Sequence, residues 1–437
     1  MRFACVEYTT KTGAMWRHTP ERPNYLADPE KEIDPTSFGC YTSAFEGVHV
    51  PLSGLIYESL TKPPSAFRRL RQDLTRTRTG AFASYDLSLL ASLDVLLVIY
   101  QMSNDDELVR FVQRVRKEFP DLILVSSSSP PFGRLREHWK DHPDAITRYQ
   151  AFINATHMNM NVCRATVPYY THLVETPSLY LPQPYPVEYA ISRVGTASEL
   201  APPTLLRMSR WGPRRSPPML PPPARGVARP GPDYPRPRDR ETISSSRPII
   251  YVSGDTVRPD ILAGHLVARE LQKRHPDMLI RITKTPEFSL NTALLEGAGY
   301  EVVPFRPWAE QLVELATVRL VLNTDMWWTR GRVQVDCAAA GVPCVGTTSD
   351  GQTELWPELT APHSTDIAAL LALSERALTD EAFRASAIRT AQRRLAHYAY
   401  EPTVERFTRA VDSVRTGQRA DWHDPIWEHD ALTLPTP

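Results

Sequence analysis

The sequence has no surplus of charge of either sign: 50 Lys and Arg stand against 50 Asp and Glu. With no net field, long-range steering onto nucleic acid or an anionic membrane is not expected. Cysteine is scarce and unpatterned. Cys5, Cys40, Cys163, Cys337 and Cys344 are scattered, odd in number and never in a Cys-x-x-Cys pair. That argues against a disulfide framework or a structural zinc site and leaves reduced core thiols. No apolar run is long enough to span a bilayer; the longest, Leu87 to Tyr100, is broken by serines and Asp94. The first residues, MRFACVEYTTKTG, lack a sustained apolar stretch followed by a small-residue cleavage site. The cytoplasm is therefore the expected compartment, without stable membrane insertion. A Walker loop, Gly-x-Ser-x-Gly, His-Glu-x-x-His and Asp-x-Asp are all missing. The last absence argues against a metal-bridged diphosphate site, so no metal is expected.

Proline, by contrast, is abundant, with 41 residues, and unevenly spread. From Ala201 to Arg240 it accompanies nine Arg and only two Asp. Proline removes backbone donors and locks φ, so this stretch reads as an extended linker or surface insertion without a helix or central strand. Its arginines suit an acidic partner, though charge runs are more often simply solvated. With 437 residues the chain exceeds one ordinary core. The expected division is an N-terminal domain over 1–195, a Pro/Arg-rich segment over 196–246, a second domain over 247–415 and a tail over 416–437.

Both halves carry the marks of an α/β fold. Leu93–Ile99 and Leu122–Val125 are continuous apolar runs, as in strands buried on both faces. Between them Leu108, Phe111, Val112 and Val115 recur at helical spacing within Asp105–Glu118. The second half alternates more cleanly. Strands are expected at 248–252, 278–282, 300–305, 320–323 and 343–346. Helices are expected at 261–274, with Leu262, Leu266, Val267 and Leu271 on its apolar face, and at 289–297, 308–316 and 333–340. This order predicts doubly wound parallel sheets in two Rossmann-like domains, with ligands at the carboxyl ends of the strands. Tyr25–Leu60 shows no clear element.

Chemistry concentrates in LVLNTDMWWTRGRVQVDCAAAGVPCVGTTSDGQTELWPEL, residues 320–359. A helix starting near Arg332 directs its positive dipole end at the cleft, where a diphosphate would sit. Arg330 and Arg332 add charge there. Asp336 lies one turn beyond Arg332, so both share a face, and its carboxylate suits the vicinal hydroxyls of a ribose. The following loop, through Gly351 to Glu354, offers backbone amides and another carboxylate.

DCAAAGVPCVGTTSDGQTELW resembles the signature of retaining glycosyltransferases built from two Rossmann-like halves, the GT-B architecture. In that family a Glu-x7-Glu pair is followed by Gly-x-Pro and then Gly-Gly-x-x-Glu. The resemblance places Asp336 on the family's ribose-binding Glu, and Gly341 and Pro343 on the Gly-x-Pro. Gly351 and Glu354 fall on the Gly-Gly-x-x-Glu. Leu181–Pro184, LPQP, resembles the segment that ends the family's first half, and Gly254 the glycine after the first donor-half strand. Departures exist. Trp328 stands where the family has its first Glu, which contacts the donor sugar. Arg258 and Lys284 are the nearest substitutes for the usual donor-half cations, and Gly13 alone stands where a glycine pair often opens the acceptor half.

The resemblance implies metal-independent, retaining transfer of a hexosyl or pentosyl group. The donor would be a nucleoside-diphosphate sugar, a substrate with no separate cofactor, and the acceptor is not specified. Rivals are a nucleotide-sugar epimerase on the same fold and a non-catalytic nucleotide-sugar-binding scaffold; a nucleic-acid acceptor carries little weight. Glu354 is the favoured catalytic carboxylate, the alternative being a helix cap. His157 is a second catalytic candidate if it lines the cleft, the alternative being a partly buried histidine beside a strand. Arg306 and Trp308, with Phe305, are placed to flank the nucleobase, and Trp327-Trp328 to form a sugar platform, with plain packing as the alternative for the tryptophans.

Overall fold

A computed structural model of the chain describes residues 1–7, 39–45, 47–51, 90–100, 102, 105–194, 247–253, 261–284, 292–304, 306, 308–328, 331–348 and 351–417. The segment 201–240 and nearly all of the 416–437 tail lie outside them.

The first sheet is built from β1 (Phe3–Glu7), β2 (Val48–Pro51), β3 (Val95–Tyr100), β4 (Ile123–Ser128), β5 (Met158–Asn161) and β6 (Ser178–Tyr180). All its pairings are parallel, in the order β2-β1-β3-β4-β5-β6. β3, VLLVIY, is buried along its whole length. That is why its sequence does not alternate: both faces of a parallel sheet are covered by helices, and each such side chain contributes about 1.5–3 kcal/mol by leaving water. Its helices are α1 (Gly39–Ala44), α2 (Asp105–Glu118), α3 (Phe132–Asp141), α4 (Pro143–Asn154) and α5 (Val167–Leu173), whereas α6 (Val187–Val194), which the sequence division groups with the first half, buries Val187 and Ala190 in the second core. On α2 the expected stripe of Leu108, Phe111, Val112 and Val115 is fully buried. α1 and β2 fall in the stretch where the sequence shows no element; both are short, and too few turns or alternations repeat there to make a period.

The second sheet comprises β7 (Ile249–Val252), β8 (Leu279–Lys284), β9 (Tyr300–Pro304), β10 (Leu320–Asn323), β11 (Cys344–Thr347) and β12 (Thr360–Ala361). Its order, β12-β11-β10-β7-β8-β9, is again all parallel. The winding reverses between β7 and β10, so the crevice beyond their carboxyl ends is the place for a ligand. The covering helices are α7 (Ile261–Arg274), α8 (Thr292–Gly297), α9 (Trp308–Leu315), α10 (Arg332–Ala340), α11 (Gln352–Leu355), α12 (Ile367–Thr379) and α13 (Glu381–Leu395).

One helix face differs from the sequence expectation. On α7 the buried residues are Ala263, Val267, Ala268 and Leu271, whereas Leu262 and Leu266 are 62% and 51% exposed. The small side of the helix lies against the sheet: a Cβ on Gly264 would stand 3.3 Å from Val252 and 3.4 Å from Thr324. Close approach of backbones selects Ala and Gly for the inner face over the larger leucines.

The last helix, α14 (Tyr400–Thr416), crosses back. The sequence division groups it with the second half, yet Phe407, Ala410 and Val411 pack with Phe3, Phe45 and Tyr41 in the first core. The outgoing and returning chain segments meet at a parallel bridge between Tyr185 and Ala399. All five cysteines are buried and none is in a disulfide. No helix among the described residues is long and apolar enough to cross a membrane.

Candidate functional site

The loop after β10 leads into α10 at the reversal point of the second sheet. Gly331 caps α10 with φ 68° and, having no side chain, makes no side-chain cap to the helix's first N–H groups. Gly351 caps α11 with φ 65°. These left-handed conformations suit glycine, and the two glycines are back to back: a Cβ on Gly351 would lie 3.1 Å from Gly331 Cα. Both turns are buried, and they bring the amino-terminal ends of α10 and α11 together.

The first turn of α10 carries two polar side chains whose hydrogen-bonding capacity is not met. Arg332 Nε donates to Asp336 Oδ2 at 3.0 Å, and its guanidinium lies 5.2 Å from the Trp308 ring and 6.0 Å from that of Tyr185. Both terminal guanidinium nitrogens are buried without a partner. Gln334, two residues on and 0% exposed, has neither its amide nitrogen nor its amide oxygen bonded. Such groups are costly unless something supplies their bonds.

Asp336 accepts from three side chains: Tyr185 Oη at 2.8 Å, Trp308 Nε1 at 2.9 Å and Arg332. Two donors fall on Oδ1 and one on Oδ2. A carboxylate offers about four acceptor directions, so one remains for a hydroxyl. Burial, then the neighbouring Asp336 charge, pushes the Tyr185 hydroxyl well above its ordinary pKa. Trp308 is packed rather than open, stacked on Tyr189 at 5.8 Å and edge-on to Tyr185. It has no free face for a base, so packing wins the choice left open for it.

Glu354 sits on α11, 9% exposed. Its Oε2 accepts from Tyr180 Oη at 2.9 Å and from the Tyr398 hydroxyl, and Arg394 donates to its backbone carbonyl at 2.7 Å. Burial and then the Glu354 charge raise the pKa of both tyrosines strongly. Tyr180 belongs to β6, and Tyr398 precedes α14. Glu354 therefore lies where the two connecting segments cross, next to the backbone bond from Tyr185 N–H to the Tyr398 carbonyl at 2.7 Å.

The two halves also touch at the rim of the cleft. Gly133 N–H, at the start of α3, donates to the Trp327 carbonyl at 3.1 Å. Trp328 adopts φ 51° and faces Phe132 at 6.2 Å and Tyr169 at 6.4 Å.

Other candidates lie elsewhere. His157 is placed away from the cleft: it precedes β5, and its Nδ1 accepts the Leu124 N–H at 2.9 Å near the start of β4. That is the amino-terminal edge of a parallel sheet, opposite the ligand edge, which corrects its reading as a catalytic residue. Burial and then Arg116 lower its pKa. Arg306 pairs with Glu314 at 3.1 Å, which in turn receives Arg281. Gly13, Gly254, Arg258, Arg330 and Phe305 lie outside the described residues, as does the side chain of Lys284. Among the described residues no group of three or more His, Cys, Asp or Glu could hold a metal ion. Sequence reasoning missed Gln334, Tyr180, Tyr185 and Tyr398. The clue for two of them was LPQP itself, which Tyr180 and Tyr185 flank.

No family model matches the chain, and no curated protein does. Solved structures do resemble it. An α,α-trehalose 6-phosphate synthase from Burkholderia multivorans aligns with a TM-score of 0.51 and 12% identity, over 85% of each chain. The N-terminal domain of a Candida albicans trehalose-6-phosphate phosphatase gives 0.56 and 10%, over 94% of this chain and 97% of that one. Sucrose-phosphate synthase from Thermosynechococcus elongatus gives 0.50 and 13%, over 85% and 84%. At such identities the likeness is one of fold, and together with the two parallel sheets it identifies this chain as a GT-B fold: two Rossmann-like α/β domains meeting at a cleft.

Proposed function

We propose that the protein is a glycosyltransferase that takes a sugar from a nucleoside-diphosphate sugar. The observation that carries this reading is the first turn of α10. A helix N-terminus with glycine as its cap, a second glycine against it, the unpaired guanidinium nitrogens of Arg332 and the unpaired amide of Gln334 form one buried polar, cationic cluster. It lies at the reversal point of the sheet. The ligand chemistry that suits it is a diphosphate with an adjoining polar group. The remaining acceptor direction of Asp336 suits one ribose hydroxyl.

In this mechanism the protein's contribution to bond cleavage is electrostatic. As the bond from the sugar to the diphosphate breaks, negative charge grows on the leaving oxygens. In this reading the helix dipole, its N–H groups and Arg332 stabilise that charge as it develops. Retention at the anomeric carbon and independence of metal ions belong to the proposal. Glu354 enters as a positioning residue, because two tyrosines and the crossing segments hold its carboxylate away from open solvent. A UDP-forming trehalose-phosphate synthase from Burkholderia xenovorans is among the similar structures, so UDP-sugars are the first donors to try.

A second reading, a protein that binds the nucleotide sugar without transferring it, is favoured by one observation. Trp328 stands where the resemblance puts a carboxylate on the donor sugar. The test is a thermal-shift and turnover panel with UDP, GDP and ADP sugars. A ligand at a hundred times its Kd stabilises by about 2.7 kcal/mol. We expect a raised melting temperature with one nucleotide family, and sugar release or transfer that survives EDTA. Binding without turnover across a broad acceptor set selects the second reading; absence of any nucleotide binding refutes both.

A further inference from the structure

At the rim of the cleft stands a group of side chains that the nucleotide site does not use. Trp328 has φ 51°, a conformation that bulky L residues rarely adopt and that clusters at functional positions. Its loop is fixed from both sides. Trp327 N–H donates to Asp325 Oδ1 at 2.9 Å, and the Trp327 carbonyl accepts the Gly133 N–H. A Cβ at Gly133 would come within 2.9 Å of Trp327 Cα, so glycine is required for the approach. The clamp turns the indole of the second domain toward Phe132 and Tyr169 of the first. Phe132 and Tyr169 stack on each other at 5.2 Å and 26°, while the Arg136 guanidinium lies 5.6 Å over the indole. Tyr169 is 51% exposed and Trp328 half-buried, so the group forms an open aromatic wall rather than a closed core.

We propose that this wall is the acceptor subsite and that the acceptor is a hydroxyl compound bearing a flat apolar ring. The inference rests on the transferase reading above. The wall joins the two halves: Trp328 comes eight residues before Asp336 on the donor side, and Phe132 and Tyr169 come from the opposite domain. A molecule against all three rings is held between donor and acceptor halves, as transfer requires. Aromatic faces reward flat apolar surface through area and offset stacking. Among these four side chains only the Arg136 guanidinium, the Tyr169 hydroxyl and the Trp328 indole N–H offer polar atoms, and only the hydroxyl can accept. A ligand dense in hydroxyls would leave several unpaired here, which is costly, whereas a ring with one or two polar substituents would not.

The test uses the full chain saturated with UDP and titrated calorimetrically with 4-methylumbelliferone, with glucose 6-phosphate as the polar comparison. We expect 4-methylumbelliferone to bind. Trp328→Ala and Tyr169→Ala should each weaken it roughly tenfold, and Trp328→Phe by no more than about threefold, since an aromatic face is kept. UDP affinity should be equal in all four proteins. Because Tyr169 is exposed, its variant keeps the test valid should Trp328→Ala misfold. The proposal is overturned if UDP binds but 4-methylumbelliferone does not, if both alanine variants bind it as well as the parent, or if only glucose 6-phosphate binds. Failure of UDP itself to bind the parent refutes the transferase reading, and this inference with it.

Discussion

Replacing Glu354 by Gln separates a carboxylate that holds substrate from one that holds the protein together. The carboxylate accepts from Tyr180 and Tyr398 in a site that is 9% exposed. Gln keeps the size and one acceptor oxygen, which can stand where Oε2 accepts from both tyrosines, but it removes the charge that strengthens both bonds. A hydrogen bond to a charged group contributes about 1.5–3 kcal/mol. Losing the equivalent of one such bond should lower stability by that amount. For a domain of this size that is a fall in melting temperature of roughly 3–12 °C. The binding of bare UDP should stay within about twofold, because the α10 turn is untouched. Calorimetric melting and titration with UDP measure the two quantities on the same sample. Tyr180→Phe and Tyr398→Phe should each reproduce part of the loss, and Tyr180→Phe combined with Glu354→Gln should cost less than the sum, since the partners share one interaction. An unchanged melting temperature with turnover lost by a large factor would refute the reasoning and return Glu354 to the donor sugar.

Three further outcomes are expected. Asp336→Ala should weaken nucleotide binding and also destabilise the fold by about 3–5 kcal/mol, because it leaves the mostly buried Arg332 charge without its partner; unfolding in urea with and without UDP checks both, and an unchanged midpoint refutes the buried-pair argument. His157, whose folded pKa is lowered by burial and Arg116, should favour stability above its unfolded value near 6.5 and lose it as pH falls below that; His157→Gln should flatten this acid slope while leaving turnover intact, and a variant with normal stability but no turnover would restore a catalytic role. Tyr180, Tyr185 and Tyr398 have folded pKa values raised by burial and adjacent carboxylates, so their stabilising effect is complete below pH 10 and is lost as pH rises through and above it; urea midpoints between pH 8 and 11 should fall more steeply in the parent than in Tyr185→Phe, and identical slopes would count against the carboxylate pairings.

Most of the second domain was legible because its signals are local. Continuous apolar runs gave β7 to β11 within a residue or two, and Asp105–Glu118 and Ile261–Arg274 match helices of the same extent. The first domain was harder for physical reasons. β5, Met-Asn-Met-Asn, is buried at all four positions, but Asn159 is satisfied by Ser126 and Ser178 from neighbouring strands. A buried polar residue with a long-range partner has the same local sequence as a loop residue. The apolar face of α7 failed for a related reason: hydrophobicity alone ranks Leu above Ala, whereas the distance between helix and sheet ranks them the other way.

The site divides along the same line. The i, i+4 spacing placed Arg332 beside Asp336, and the structure has that pair at 3.0 Å. The other two donors to the same carboxylate are 151 and 28 residues away, and those to Glu354 are 174 and 44 residues away. No period or motif encodes such partners, since they depend on how two domains and two crossing segments come together. Carrying a role over from a resembling motif is therefore sound for what the motif itself determines. Gly331 and Gly351 are left-handed, and a Cβ on Gly351 would stand 3.1 Å from Gly331 Cα, so local conformation and close approach both select glycine there. It is less sound for a carboxylate, whose availability to a ligand depends on what else has reached it first. Here tyrosines from Tyr180–Tyr185, the segment that leaves the first domain, have reached both. These two carboxylates of the second domain are thus held partly by the first, and any opening of the cleft that moves β6 against α11 must break the Tyr180 bond and expose Glu354 to water. A buried charge losing a donor costs more than the bond alone, so the crossing resists that motion, and the rim contact of Gly133 with Trp327, made through neutral backbone, is the weaker place to open.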